Sequence, residues 1–135
     1  MALLMEGKPA AAVLRARLAE KAKKLREQKI SCGLAVLLVG ADGAAIIYAD
    51  WLGKLCGSLG ISYHLAALPA ETTQKEILAL IEQLNRNPEV SGILPMMPLP
   101  RGIDPDVVVR SLDPDKDVDA LHPLNVGLVA VGKSP

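Results

Sequence analysis

Residues 91–104 read SGILPMMPLPRGID, a short apolar run followed by prolines at 95, 98 and 100. The run reads as a buried strand, and the prolines predict where it ends. Pro98 and Pro100 have no backbone donor and a fixed φ, so residues 97–101 are expected as a stiff extended segment, neither helix nor paired strand. Stiff loops at strand ends are where α/β proteins hold ligands. The segment is therefore either one wall of a site or a rigid connector whose methionines fill a gap in the core.

Working outward, the flanking chain alternates between strand and helix patterns. Residues 33–40, GLAVLLVG, form a continuous apolar run between glycines, too short for a typical helix, and read as a buried parallel strand. Ala41, Asp42 and Gly43 are expected to turn, and residues 44–59 to form a helix stopped by Gly60. Ser62–Leu68 reads as the next strand. Thr73 with Glu76 makes a capping box, and Ile77, Leu80, Ile81 and Leu84 line one helical face until residues 85–88 end it. Asp104 and Pro105 open a short helix through Val107 to Leu112, and an acidic run, DPDKDVD at 113–119, follows. Upstream, residues 9–28 carry Ala11, Leu14, Leu18, Ala22 and Leu25 at helical spacing, with Arg15, Lys21, Lys24 and Arg26 largely opposite. That amphipathic helix is expected to cover one side of the sheet. The alternation predicts an α/β fold, a three-layer parallel sheet with helices on both faces, in a single domain.

Composition narrows the function classes. The 135 residues are enough for one core without staples. Fifteen basic and fifteen acidic residues cancel, which leaves no electrostatic footprint for nucleic acid or an anionic membrane. Half the residues are hydrophobic and none is Phe, so the core is expected to be aliphatic. Cys32 and Cys56 lack metal spacing and are too few for a disulfide framework, and read as buried free thiols in a reducing cytosol. No stretch approaches the ~20 apolar residues of a membrane span, and the first residues carry no leader pattern. A cytoplasmic location is expected.

Few side chains stand out chemically. Ala45, Tyr48 and Leu52 share one helical face, and Tyr48 is its only polar member, either a core residue with its hydroxyl at the surface or an aromatic platform for a ring. Asp117 and Asp119 follow a tight turn that could aim a carboxylate at the strand ends; a solvated acidic loop is the plain alternative. His64 reads as a core or edge histidine, and His122 has no partner at metal spacing, so no metal site is expected. No phosphate loop, nucleophile elbow or triad is visible.

Taken together, residues 33–40, Tyr48, the GIL and PLP pieces of 92–100, and PDKDVDALHPLNVG at 114–127 resemble one family throughout. The chain is similar to the N-terminal, tetrahydrofolate-binding domain of bifunctional methylenetetrahydrofolate dehydrogenase/cyclohydrolase. The resemblance implies that residues 1–135 form the folate-binding half in one-carbon metabolism. A Rossmann-like NAD(P) domain would follow and face it across a cleft. Pro135 falls about where that domain should begin, and no dinucleotide fingerprint precedes it. The chain is thus expected to lack the Rossmann-like NAD(P) domain and to hold no cofactor itself. Its implied partners are a reduced folate or similar ring, and an NAD(P)-domain chain.

The resemblance also implies roles for residues. Tyr48 stands at the family's ring-stacking tyrosine and Asp119 at the carboxylate that engages the pterin. Ala45 stands at a serine, Leu52 at a lysine and Met96 at the glutamine that would bond that lysine. The implied substrate-binding set is Tyr48, Leu52, Met96, Met97, Pro98 and Asp119, with no intact catalytic residue. Lys54 is two residues from Leu52, about 200° around the helix, and could replace the lysine only if the helix were irregular near Gly53. Three readings follow: a weakly active or inactive folate-domain homologue, an enzyme completed by a nucleotide domain elsewhere, or a scaffold that keeps only the fold.

Overall fold

A strand with no polar residue has no face to give to water. In the computed structural model, which describes residues 6–40 and 43–134, GLAVLLV is accordingly the central strand, β1 (Gly33–Val39), buried from Ala35 to Val39. β2 (Ser62–Leu68) pairs parallel to one edge, from Gly33 opposite Ser62 to Val39 opposite Leu68. β3 (Gly92–Pro95) pairs parallel to the other, from Leu34 opposite Gly92 to Leu37 opposite Pro95. Among the described residues, the order β2-β1-β3 makes β1 the only strand flanked on both sides.

Alternation along β1 divides the interior into two cores. Ala35, Leu37 and Val39 join Ile77 and Ile81 of α3 (Gln74–Arg86), Val108 of α4 (Pro105–Arg110), and Val90, Ile93 and Leu112. Val36 and Leu38 face the other way, toward α2 (Gly43–Leu59), which buries Ala49, Leu52, Cys56 and Leu59. Each fully buried aliphatic side chain contributes roughly 1.5–3 kcal/mol, so both faces of β1 have to be covered. The outcome is the three-layer α/β arrangement, with an aliphatic core.

The local punctuation follows the sequence. Thr73 and Glu76 make a reciprocal capping box at the start of α3. Asp104 accepts from the Asp106 N–H at 2.9 Å ahead of Pro105, and Gly60 ends α2 at φ +72°. His64 lies exposed on the edge strand β2.

Two expectations change. The first helix, α1 (Gly7–Glu27), does not cover the sheet: it packs beside α2, buries only Ala22, and leaves Leu14 and Leu18 about half exposed. A helix of 21 residues is about 30 Å long, longer than a seven-residue strand of about 23 Å, and α2 already occupies that face. Residues 97–101 are bent rather than extended, with a cis Met97–Pro98 peptide and Gly102 at φ +91°. Of the turn expected at Ala41, Asp42 and Gly43, the first two lie outside the described residues and Gly43 opens α2. A helix not foreseen, α5 (Pro123–Ala130), closes the chain, capped by His122 Nδ1 accepting from the Leu124 N–H at 3.2 Å. Among the described residues, no helix is long and apolar enough to cross a membrane.

The end of α3 is tied to the following segment by one side chain. Lys116, in a 3-10 turn over Pro114–Lys116, donates from Nζ to the carbonyls of Leu84, Asn85 and Asn87 at 3.1, 2.6 and 2.8 Å. Asn85 adds bonds to the Ser111 carbonyl and from the Asp113 N–H. Lys116→Met, which keeps the stem and removes the donor, is expected to lower stability by about 1–2 kcal/mol in urea unfolding, with helical content retained.

Candidate functional site

Connections from β1 run to β2 on one side, and the next strand, β3, returns to the other, so the topology reverses between β1 and β3. Open α/β sheets bind ligands at such reversals. A cavity of about 530 Å³ lies there, within the roughly 300–1,000 Å³ usual for small-molecule sites. Leu34 and Leu94 of the two strands form its floor, and Tyr48 and Leu52 of α2 one wall. Pro95, Met96 and Met97 lead out of β3 along the rim, facing Val118, Asp119 and Leu121.

The α2 wall follows from helical spacing. Tyr48 and Leu52 are four apart and share a face. Leu52 is buried among core side chains, whereas Tyr48 is about half exposed. Ala45 is partly buried and lies outside the lining. Trp51, not singled out in the sequence reading, stacks on Tyr48 with ring centroids 5.8 Å apart and planes at 16°. Its three-residue spacing from Tyr48 was the available signal. The helix runs unbroken through Gly53, where an added Cβ would meet the Tyr63 ring at 3.1 Å. Lys54 therefore stays exposed on another face and does not turn into the cavity.

The rim of β3 is held by backbone. The Met96 N–H donates to the Leu37 carbonyl at 2.8 Å, extending strand pairing by one residue. Met96 is partly buried and Met97 exposed, and both line the cavity; Pro98 is exposed and lies beyond the lining. Opposite them, the 117–119 segment seats on β3 through a parallel bridge between Ile93 and Asp117. Gly92 permits this, because a Cβ there would stand 2.4 Å from Val118 Cγ1.

The two acids of the DVD triplet have separate tasks. Asp117 is buried, and its carboxylate accepts from the backbone N–H groups of His122, Leu121 and Asp119 at 2.9, 3.1 and 3.4 Å. The Asn125 amide, itself buried, donates to it at 2.9 Å and to the Pro114 carbonyl at 2.8 Å. Burial pushes the Asp117 carboxyl up, but these four donors outweigh it and hold it below the usual range. Asp119 is exposed and faces the cavity. The structure thus brings Tyr48, Leu52, Met96, Met97 and Asp119 together and leaves Ala45 and Pro98 outside.

Chemically, the described residues of the lining offer one phenol and one carboxyl group among aliphatic and thioether side chains, and no histidine, lysine or arginine. It can stack a ring and accept hydrogen bonds from its edge. Among the described residues, no group of three or more His, Cys, Asp or Glu could hold a metal ion. Cys32 and Cys56 are free thiols lining a separate apolar cavity of about 300 Å³; burial pushes the Cys56 thiol up.

Comparison with known proteins converges on one group. The catalytic domain of tetrahydrofolate dehydrogenase/cyclohydrolase matches residues 5–119. Bifunctional protein FolD 2 of Desulfitobacterium hafniense is 44% identical over 133 residues, covering 98% of this chain and 47% of the relative. The crystal structure of the bifunctional FolD enzyme of Campylobacter jejuni superposes with a TM-score of 0.93 at 39% identity, covering 97% of this chain and 46% of that one. The Trypanosoma brucei enzyme, complexed with NADP and an inhibitor, gives 0.90 at 27% identity over 99% of this chain and 46% of that one. The chain spans about half the length of the relatives it matches.

The division between the two acids is measurable. Asp117→Ala strands four donors and is expected to cost about 3 kcal/mol in urea unfolding, while Asp119→Ala changes stability by about 0.5 kcal/mol or less. Because the Asp117 carboxyl is lowered in the folded state, its contribution is complete above about pH 4. It is lost as pH falls through the lowered value, and the Asp117→Ala variant loses that part of the acid dependence.

Proposed function

The chain belongs to the tetrahydrofolate dehydrogenase/cyclohydrolase family, and from that premise we propose that residues 1–135 are its folate-binding domain in a form that binds a reduced folate but turns it over weakly or not at all. The observation that carries the reading is the composition of the cavity: Tyr48 and Asp119 face it together, while the side chains at the implied lysine and glutamine positions, Leu52 and Met96, close it with hydrocarbon and sulfur. Tyr48 stacks the ring, and Asp119 accepts hydrogen bonds from the edge of the pterin.

The family reactions need a proton moved near the folate nitrogens as the one-carbon bridge is oxidised or hydrolysed, and a half-buried lysine can be tuned for that. Leucine has no proton to exchange. Losing a positioned acid or base costs on the order of 10² to 10⁴ in rate. The pair Leu52 and Met96 is also coherent: without a lysine, a glutamine at 96 would have no charged partner. The described residues around the cavity offer no glycine-rich turn to fit a nicotinamide dinucleotide, so no hydride step is assigned to this chain. Dehydrogenase activity would require an NAD(P) domain on another segment or chain. A cytoplasmic setting belongs to the same proposal.

A second reading, a scaffold that keeps only the fold, is favoured by one observation. α5 leaves Leu124, Val126 and Val129 exposed, and Val131 follows it, while α1 exposes Val13, Leu14 and Leu18. Those rows suit burial against another protein surface.

Calorimetric titration with 5,10-methylenetetrahydrofolate separates the two. Saturable binding is expected, weakened about tenfold or more by Asp119→Ala and by Tyr48→Ala; absence of binding at millimolar ligand would leave the scaffold reading. The double variant Leu52→Lys, Met96→Gln is expected to raise cyclohydrolase turnover at least about tenfold over the parent, followed by loss of the methenyl absorbance. No gain would count against these positions.

A further inference from the structure

β2 pairs with β1 along one edge, and among the described residues no strand pairs with its other edge. The Ser62 N–H donates to the Cys32 carbonyl and the Leu68 carbonyl accepts from the Gly40 N–H, both at 2.9 Å, which turns the backbone of residues 62 and 68 toward β1. Successive residues of a strand face opposite edges, so Tyr63, Leu65 and Ala67 turn their N–H and C=O groups outward. The seven residues of β2 carry this row along about 23 Å. Proteins ordinarily blunt such an edge with a charge, a proline or a bulge. SYHLAAL has no formally charged residue and no proline, and it pairs with β1 residue for residue.

The flank of this edge is apolar and its two ends differ in charge. Leu65 and Ala67 lie opposite Val36 and Leu38 in the register and share their face, the one under α2. There Leu38, Ile46, Leu65 and Ala67 border a groove of about 630 Å³, with Ile46 and Leu65 exposed to 40% and 42%. At the start of β2 the exposed Arg26 guanidinium lies against Gly60, where an added Cβ would stand 2.5 Å from it, and the exposed Lys29 borders a cavity together with Ser62. Past the end of β2, Glu71 is exposed at the border of the groove. A second β2 running antiparallel sets an acidic end against a basic end twice, whereas a parallel one would set like ends together.

We propose that the outer edge of β2 joins two copies of this chain, the strands running antiparallel about a two-fold axis at Leu65, so that two three-stranded sheets become one of six strands. Leu65 meets Leu65 of the second copy, and Tyr63 meets Ala67, as pairs that exchange N–H···O=C bonds. The axis stands normal to the sheet, so both α2 helices lie on one face. The two grooves merge there, with the paired Leu65 side chains between them. Glu71 of each copy comes to the end that carries Arg26 and Lys29 of the other. The surface lies on the sheet edge away from β3, and the proposal stands independently of the ligand read for the cavity at β3.

The test is sedimentation equilibrium of the chain across a range of concentrations, with amide hydrogen exchange measured alongside. The parent should pass reversibly from monomer to dimer in the micromolar range, and exchange at the Tyr63, Leu65 and Ala67 amides should slow as the dimer fills. Leu65→Lys and Leu65→Glu, each checked for folding by circular dichroism, set like charges directly opposite one another and should each weaken association about fivefold or more. Mixed in equal amounts they should restore the dimer, because a two-fold axis at Leu65 sets Lys against Glu. Ala67→Pro removes one outward N–H, leaves the bonds to β1 and should also give a monomer. A parent chain still monomeric at about 1 mM would overturn the proposal. A dimer that forms without slowing exchange at those three amides, or that Leu65→Lys leaves intact, would overturn it too and place the contact elsewhere, on α1 or α5. The two measurements on the parent decide even where a variant fails to fold.

Discussion

The architecture depends on one strand that cannot face water. β1 is apolar throughout, so it can exist only with a strand at each edge and helices over each face. Its odd-numbered positions close one core with α3 and α4; its even-numbered positions lie under α2. The site inherits this geometry. Because α2 has to cover Val36 and Leu38, its next turns carry Leu52 and Tyr48 over the adjoining groove, and the rim of β3 follows from the last backbone pairing to Leu37.

The opposite wall is fixed by polar rather than apolar burial. Asp117 gathers three backbone donors and the Asn125 amide, which turns a run of acids into a rigid corner. A buried carboxylate with this many donors costs little, whereas one without them would cost several kcal/mol. The corner leaves Asp119 outside the knot, pointing at the cavity. Neighbouring residues of the same type thus divide into one that builds the wall and one that the wall displays.

Most of the fold was legible in the sequence because its signals were local. The glycine-bounded run of β1, the capping box at Thr73 and the Asp104–Pro105 helix start need no distant partner, and each stands where the pattern put it. What failed depended on the whole. The amphipathic face of α1 promised a sheet to cover, but that face of the sheet already belonged to α2, and helix periodicity says nothing about who arrives first. Residues 97–101 bend because prolines fix φ at their own positions without fixing the path of the residues between them. α5 was hidden because Pro123–Ala130 is apolar on several sides, which blurs helical periodicity, and because its anchor is a single buried asparagine. At the site, Tyr48 and Asp119 were chosen from a resemblance, and the cavity joins them. The roles of Trp51 and Asp117 were not visible until neighbours three residues apart, or a knot of amides, could be seen in space.

The stacked pair on α2 has a consequence of another kind. Trp51 is the only tryptophan in the chain, and Tyr48, with which it stacks, is one of two tyrosines, with no phenylalanine. Indole emission responds to the polarity around it and to rings that approach within contact. Most of the near-ultraviolet light absorbed by this protein is therefore taken up by a pair of rings of which one, Tyr48, lines the cavity. The chain carries its own optical gauge there, reporting without a label on the ring pair that Tyr48 shares with the cavity wall.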